Sequence, residues 1–380
     1  MNQTAQILSI YAADTSGVCS ALFELGGMTV IHDASGCNST YTTHDEPRWY
    51  RGSSMMYISA LTESDAVMGN DEKFISDLTE VANRLKPEFI AICASPMPAM
   101  TGVDMEAIAF DVSHRTGIPA FSVKTNGMHS YIPGAANAFE EIVRHFCEPA
   151  ERRKGKVNII GATPLDFSLK GSVESIKQWL RDNGFEVGCC LSMGCTLDDV
   201  RAMSSAEVSL VISSTGVKAA EYLKREYGVP YVKGVPIGKS FSRVLADGLR
   251  SAAAGQEASP LALRTGESIM AAVLGESIFS ASMAAALALD KGISARVIET
   301  VGESDLSVLA PFDLSAPDED VCERELAKHS LIIADPLFRP IAGKGRFVPL
   351  PHEAFSGRCF ERDIPDLINR ELTFLKETGL

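Results

Sequence analysis

The sequence predicts an α/β protein built from doubly wound parallel sheets, and three observations carry that prediction. Runs of four to seven apolar residues recur along the chain, helical patterns separate them, and helices exit on glycine, as at Asn183-Gly184 and Lys291-Gly292. Strands buried on both faces read as short apolar runs, and alternation with helices places them side by side in parallel. Glycine relieves the left-handed position that follows a helix.

Taken in order, the elements fall into three blocks, with expected bounds 1–150, 151–258 and 259–380. The first has strands over 28–31, 55–59, 89–94 and 120–123, with a helix over 72–85. A polar stretch, Pro149-Ala-Glu-Arg-Arg-Lys-Gly155, marks its end. The second opens on a strand over 156–161 and continues through a helix over 172–183 and strands over 185–191 and 208–213. After a linker at Ala252-Ala-Ala-Gly-Gln-Glu-Ala-Ser-Pro260, the third has strands over 269–274, 294–300, 331–334 and 346–349, with a helix over 277–291.

Composition bounds the function. The 380 residues suggest two or three domains, and 46% hydrophobic with 22% charged content is that of an ordinary soluble protein. A formal charge of -14, with no basic tract longer than Arg152-Arg-Lys154, argues against a nucleic-acid surface. The start lacks a basic and then apolar leader, and the apolar run over 278–289 is too short to span a bilayer. Nine cysteines without an export signal read as reduced thiols or metal ligands. The expected location is cytoplasmic.

Chemistry concentrates after the first strand. The segment His32-Asp-Ala-Ser-Gly-Cys37 puts a cysteine at a strand's carboxyl end, where open α/β sheets gather their sites. It is followed by a strand, by Thr62-Glu-Ser-Asp-Ala-Val-Met-Gly69 and by Lys86-Pro-Glu-Phe-Ile-Ala-Ile-Cys93. That order resembles nitrogenase component 1 proteins. This superfamily includes the molybdenum-iron protein subunits, their scaffold relatives, the dark protochlorophyllide reductase subunits and the reductive cyclase of coenzyme F430 synthesis. The resemblance implies three Rossmann-like domains, and its specific motifs lie mainly in residues 17–102 and 206–238.

Within the resemblance, Cys37 matches a cluster-ligating cysteine; read alone, it is a small buried apolar residue. The family's earlier cysteine falls on Tyr11-Ala-Ala13, which has no sulfur, and Cys19 is the nearest alternative. Cys19 is expected near the start of a helix, whose N-terminus favours a thiolate. The family's third cysteine falls near Pro96, with Cys93 three residues earlier. A six-cysteine cluster therefore does not carry over. A [4Fe–4S] cluster on a twofold axis, taking Cys19 and Cys37 from each subunit, would have four thiolates, and a version with Cys93 stays open. Cys189 and Cys190 are adjacent in a strand and face opposite sides. Cys195 lies in a Gly-bearing loop before Thr196, an N-cap candidate with Asp199 three residues on. Cys195 and Cys359 are weaker ligand candidates, and Cys147 and Cys322 carry no signal.

The family's cofactor cysteine should follow the strand over 208–212, where this chain has Ser213-Ser-Thr-Gly216. Reduction of dinitrogen is not implied. Near the C-terminus, Pro349-Leu-Pro-His-Glu-Ala-Phe-Ser-Gly-Arg-Cys359 resembles the segment bearing the family's histidine ligand. His352 is thus a proton-donor candidate or a structural loop histidine. The same choice holds for His129, in Thr125-Asn-Gly-Met-His-Ser-Tyr131. The charges of His44-Asp-Glu-Pro-Arg48 are expected to pair with each other. Gly234-Val-Pro-Ile-Gly-Lys-Ser240 imitates a phosphate loop, but it is one residue short between its glycines and carries a proline.

The resemblance implies the catalytic component of a two-component reductase. An ATP-hydrolysing iron–sulfur protein resembling nitrogenase reductase would deliver electrons to an interfacial [4Fe–4S] cluster, with no ATP site on this chain. The assembly would be a homodimer, or a heterodimer with a paralogue. A cluster-assembly scaffold and a cluster-free binding protein are the alternatives.

Overall fold

The computed structural model describes residues 5–7, 12–36, 46–52 and 54–373. Three parallel sheets follow one another along the chain. The first comprises β1 (Met28–His32), β2 (Met55–Ile58), β3 (Ile90–Ala94) and β4 (Ala120–Val123), in the order β2-β1-β3-β4. The second comprises β5 (Arg153–Ile160), β6 (Glu186–Cys190), β7 (Ala206–Val211) and β8 (Tyr231–Lys233), in the order β6-β5-β7-β8. The third comprises β9 (Ala271–Gly275), β10 (Ala295–Glu299), β11 (Leu314–Ser315), β12 (Leu331–Ala334) and β13 (Arg346–Pro349), in the order β11-β10-β9-β12-β13.

The expected α/β class of doubly wound parallel sheets is the observed one. β1 and β3 are buried along their whole lengths, as strands covered by helices on both faces must be. Each sheet reverses its winding once: between β1 and β3, between β5 and β7, and between β9 and β12. Such switch points open a crevice at the strands' carboxyl ends. The two strands without a sequence expectation, β8 and β11, are edge strands of three and two residues. Pairs that short leave little apolar run to read.

One apolar core joins the three sheets. It runs from Val18 and Leu22 through Phe139 and Ile142 to Ile159, Leu210 and the helix Ser277–Lys291. That last helix is buried on most of its circumference, which explains its nearly continuous apolar sequence. Among the described residues, no helix is long and apolar enough to cross a membrane.

The helix Asp14–Leu22 lies against the helix Tyr131–Phe146 at glycine contacts. A Cβ on Gly134 would stand 1.8 Å from the Asp14 carbonyl oxygen, and one on Gly17 would stand 2.1 Å from that of Tyr131. Both obstacles are backbone and cannot swing aside. We expect Gly134→Ala to cost about 3 kcal/mol, the upper end of overpacking. A urea midpoint equal to that of the unsubstituted chain would refute this packing.

Candidate functional site

Four of the six strand ends at the switch points, those of the second and third sheets, meet around one carboxylate. Asp166 lies in the short helix Pro164–Phe167, just beyond β5. Its Oδ1 accepts from the Tyr131 hydroxyl at 2.5 Å, and its Oδ2 accepts from Ser213 Oγ at 2.7 Å and Thr163 Oγ1 at 3.2 Å. His352 Nε2 stands 3.4 Å from Oδ1. Tyr131 opens the helix after β4, Ser213 follows β7 and His352 follows β13, so all three sheets contribute.

The third sheet brings two further carboxylates. Asp335, just past β12, accepts the His352 backbone N–H at 2.8 Å and the Ser356 hydroxyl at 2.8 Å through Oδ2. Asp335 thereby fixes the segment that carries the imidazole. Glu276, just past β9, accepts the backbone N–H groups of Ser214 at 3.0 Å and Phe279 at 2.8 Å, and the Ser214 hydroxyl. Beside it runs a narrow cleft lined by Asp166, Glu276, Asp335 and His352, with phenyl walls from Phe167, Phe279, Phe338 and Phe355.

The electrostatics follow from burial. Burial, with the nearby Asp166 charge, raises the Glu276 carboxyl to about 7 despite its hydrogen bonds. Burial likewise raises Glu353 to about 7. For His352, burial opposes the charged ring, but Asp166, with Asp335 and Glu276 behind it, reverses the balance and raises its pKa. Burial and the Asp166 charge hold the Tyr131 hydroxyl protonated. Near neutrality, protons can therefore be held on Glu276 in the cleft and on Glu353 next to His352, and the imidazole keeps its proton above its ordinary range.

Of the expected proton donors, His352 lies in this network. His129 is half exposed and pairs with Glu303, outside it. Asp166, Glu276 and Tyr131 had no sequence expectation. The signal available for Asp166 and Glu276 was position alone: each is an acidic residue just past a strand, in Thr163-Pro-Leu-Asp166 and Leu274-Gly-Glu276.

None of the described cysteines lines the cleft. Cys19 was expected near a helix start, but it is the sixth residue of the helix Asp14–Leu22 and is fully buried. The chain turns helical already at Asp14, whose carboxylate accepts N–H groups of Thr15, Asn126 and Gly127. Burial pushes the Cys19 thiol up strongly. Cys93, in β3, is equally buried, and its Sγ stands 3.7 Å from the Val30 carbonyl oxygen. Burial, followed by the neighbouring Cys19, raises the Cys93 thiol well above its ordinary range. A cluster shared between two copies of this chain needs thiolates that reach a surface. As folded here, Cys19 and Cys93 do not fit that requirement. Cys37, with His44 and Asp45, lies outside the described residues.

Cys189 and Cys190 are both buried at the end of β6, and Cys189 shares a hydrogen bond with Cys195. Thr196 and Asp199 form the expected reciprocal cap just beyond. Cys359 is exposed in the turn 357–359, and Cys147 and Cys322 are buried. Among the described residues, no three His, Cys, Asp or Glu side chains group as a metal site.

The loop that imitates a phosphate cradle has its own anion. The backbone N–H groups of Lys239 and Ser240 donate to the Asp290 carboxylate at 2.7 and 2.9 Å. Gly238 N–H donates to the Leu367 carbonyl.

Comparison with known proteins adds the lineage. The family described as Nitrogenase component 1 type Oxidoreductase matches residues 16–313. The chain is 27% identical over 251 residues to a light-independent protochlorophyllide reductase subunit of Pelodictyon phaeoclathratiforme, covering 63% of this chain and 45% of that one. It is 25% identical over 183 residues to the nitrogenase iron-molybdenum cofactor biosynthesis protein NifE of Bradyrhizobium diazoefficiens, covering 47% and 33%. The matched region thus spans less than half the length of either relative. Among solved structures, nitrogenase Cp1 at pH 6.5 superposes with a TM-score of 0.66 at 18% identity, covering 92% of this chain and 88% of that one. At that identity the likeness speaks for the fold.

Proposed function

This chain belongs to the nitrogenase component 1 type oxidoreductase family, and from that premise we propose that it is the catalytic component of a two-component reductase. The reading rests on one observation above the others. The segments that the resemblance assigns to cofactor binding, Ser213–Gly216 and the His352 loop, converge on Asp166 in a cleft where three sheets meet. An ATP-hydrolysing iron–sulfur partner would supply electrons, and two copies of the chain, or this chain and a paralogue, would form the unit it docks on.

A cluster at that interface would provide one-electron relay chemistry. With Cys19 and Cys93 closed off in the core, Cys37 is the thiolate to hold it, one from each copy, with further ligands to be supplied by other groups. The cleft residues do the rest. Asp335 holds the His352 backbone, Asp166 orients the imidazole through Nε2, and Tyr131 keeps its proton on the Asp166 side. Protons for a reduced molecule would leave His352, Glu276 or Glu353, whose ordinary pH ranges have all been moved toward or above neutrality.

An assembly scaffold is the second reading. It is favoured by the relative named for cofactor biosynthesis and by the three thiols near the end of β6. Iron and acid-labile sulfide, measured on anaerobically purified protein, separate these readings. We expect about four irons per dimer, the content of one [4Fe–4S] cluster. They should be lost in Cys37→Ala and kept in Cys19→Ala. Loss in a Cys189→Ala, Cys195→Ala double variant with retention in Cys37→Ala would favour the scaffold. Absence of iron after reconstitution would rule out both.

A further inference from the structure

The cleft beside Asp166 has a charge imbalance that its own residues do not resolve. Asp166, Glu276 and Asp335 line it, His352 is its one basic side chain among the described residues, and no Lys or Arg is among its lining residues. Buried carboxylates are ordinarily matched by cations, because an unmatched one costs several kcal/mol. Here hydroxyl and backbone N–H donors do most of the matching. A negatively charged cofactor or substrate would meet repulsion from all three carboxylates.

A second, independent observation concerns Ser280. It lines the same cleft and is 1% exposed, and its Oγ has no hydrogen-bond partner among the described residues. Buried hydroxyls rarely go unpaired, so this atom marks a place for a hydrogen-bonding group from outside the chain, to which it can offer a lone pair. The walls are the third observation. Phe167 and Phe279 pack edge to face at 6.4 Å, and Phe338 and Phe355 do so at 5.4 Å. Phenyl faces attract a cation and exclude the water that a metal aquo ion would bring.

We propose that this cleft takes a compact primary ammonium, the charged end of the molecule on which the protein acts. Its N–H groups would donate to Asp166, Glu276 and Ser280 Oγ while its carbon side lies against the phenyl rings. The proposal rests on the reading that this cleft receives the reacting molecule, and it narrows the substrate class to an amine small enough to enter a narrow slot.

The test is calorimetric titration of the full chain at about pH 8, where carboxylates raised to about 7 are ionised. The probes are n-propylammonium, 1-propanol and propionate. We expect the ammonium to bind at least about tenfold more tightly than the alcohol, a difference of about 1.4 kcal/mol, and propionate not to bind. Asp166→Asn should weaken the ammonium about tenfold, and Ser280→Ala should weaken it severalfold, each with the thermal midpoint recorded to verify folding. If Asp166→Asn does not fold, Ser280→Ala decides. Equal affinity for alcohol and ammonium, no heat with the ammonium, or unchanged binding in a folded Ser280→Ala variant would overturn the proposal. The iron measurement is separate: cluster without ammonium binding removes only the substrate class, whereas ammonium binding without iron removes both cluster readings and leaves the amine site standing.

Discussion

Replacing Arg48 with alanine is expected to destabilise the chain by about 4 kcal/mol, the scale for breaking a buried ion pair. Arg48 is 5% exposed, and its guanidinium is used on all sides. Nε donates to Glu46 at 2.6 Å, Nη1 to Glu24 at 3.1 Å and to the Ser192 carbonyl at 2.9 Å, and Nη2 to the Ser20 carbonyl at 2.5 Å. The same group lies over the Phe23 ring at 4.6 Å. Alanine strips this cation from a fully buried Glu46 carboxylate and unties the helix Asp14–Leu22 from the loop around Ser192. Lysine restores the charge but not the planar fork, so Arg48→Lys should recover less than half of the loss. Urea unfolding measures both. A loss below about 1 kcal/mol for Arg48→Ala would place this pair with ordinary surface ion pairs.

The sequence made this pairing legible in part. The closeness of Glu46 and Arg48 suggested that they meet, and they do. Ser20, Glu24 and Ser192 could not be foreseen, because they come from a helix and a loop distant in the chain. The sheets were legible for a related reason. Strands covered on both faces, such as Ile90–Ala94, announce themselves as apolar runs, whereas the two-residue edge strand Leu314–Ser315 does not. The reciprocal cap of Thr196 and Asp199 was readable because capping is a local pattern.

The site was less legible. His352 stood out through its resemblance, but the carboxylate that organises the cleft, Asp166, is one acidic residue among 49 Asp and Glu. Its role comes from where β5, β7 and β13 end in space. Cys19 shows the opposite case. Its residue type suggested a ligand, while its place in a helix buried on every side puts it in the core. Residue type indicates possible chemistry, and burial decides which possibilities remain.

The cleft's crowded carboxyl groups should also leave a mark on stability. Unfolding free energy is expected to fall as pH rises from about 5 to 8. In that interval the folded chain holds protons that the unfolded chain has released, and the slope is negative wherever the folded state binds more protons. Glu276 and Glu353, both raised to about 7, contribute fully below their ordinary carboxyl range, and the contribution is gone once pH passes about 7. Each is worth roughly 3 kcal/mol. His352 acts in the same sense at higher pH, because its raised pKa favours the folded state below the ordinary imidazole range and that advantage is lost above the folded value. On the acid side, Asp305 and Glu325 are lowered, so their stabilisation disappears as pH falls. The maximum therefore belongs near pH 5, below the usual neutral optimum. Glu353→Gln isolates one contribution, because the amide removes the titration while its carbonyl oxygen can still accept from the Ser168 hydroxyl. Its urea midpoint should exceed that of the unsubstituted chain at about pH 8, by a margin that narrows toward pH 5 and closes only below the ordinary carboxyl range. A profile that stays level from pH 5 to 8 in the unsubstituted chain would mean that these carboxyls release their protons in the folded chain over the same range as in the unfolded one, and that burial does not raise them. A falling profile that n-propylammonium lifts selectively at the higher pH would join the two results through one set of carboxylates.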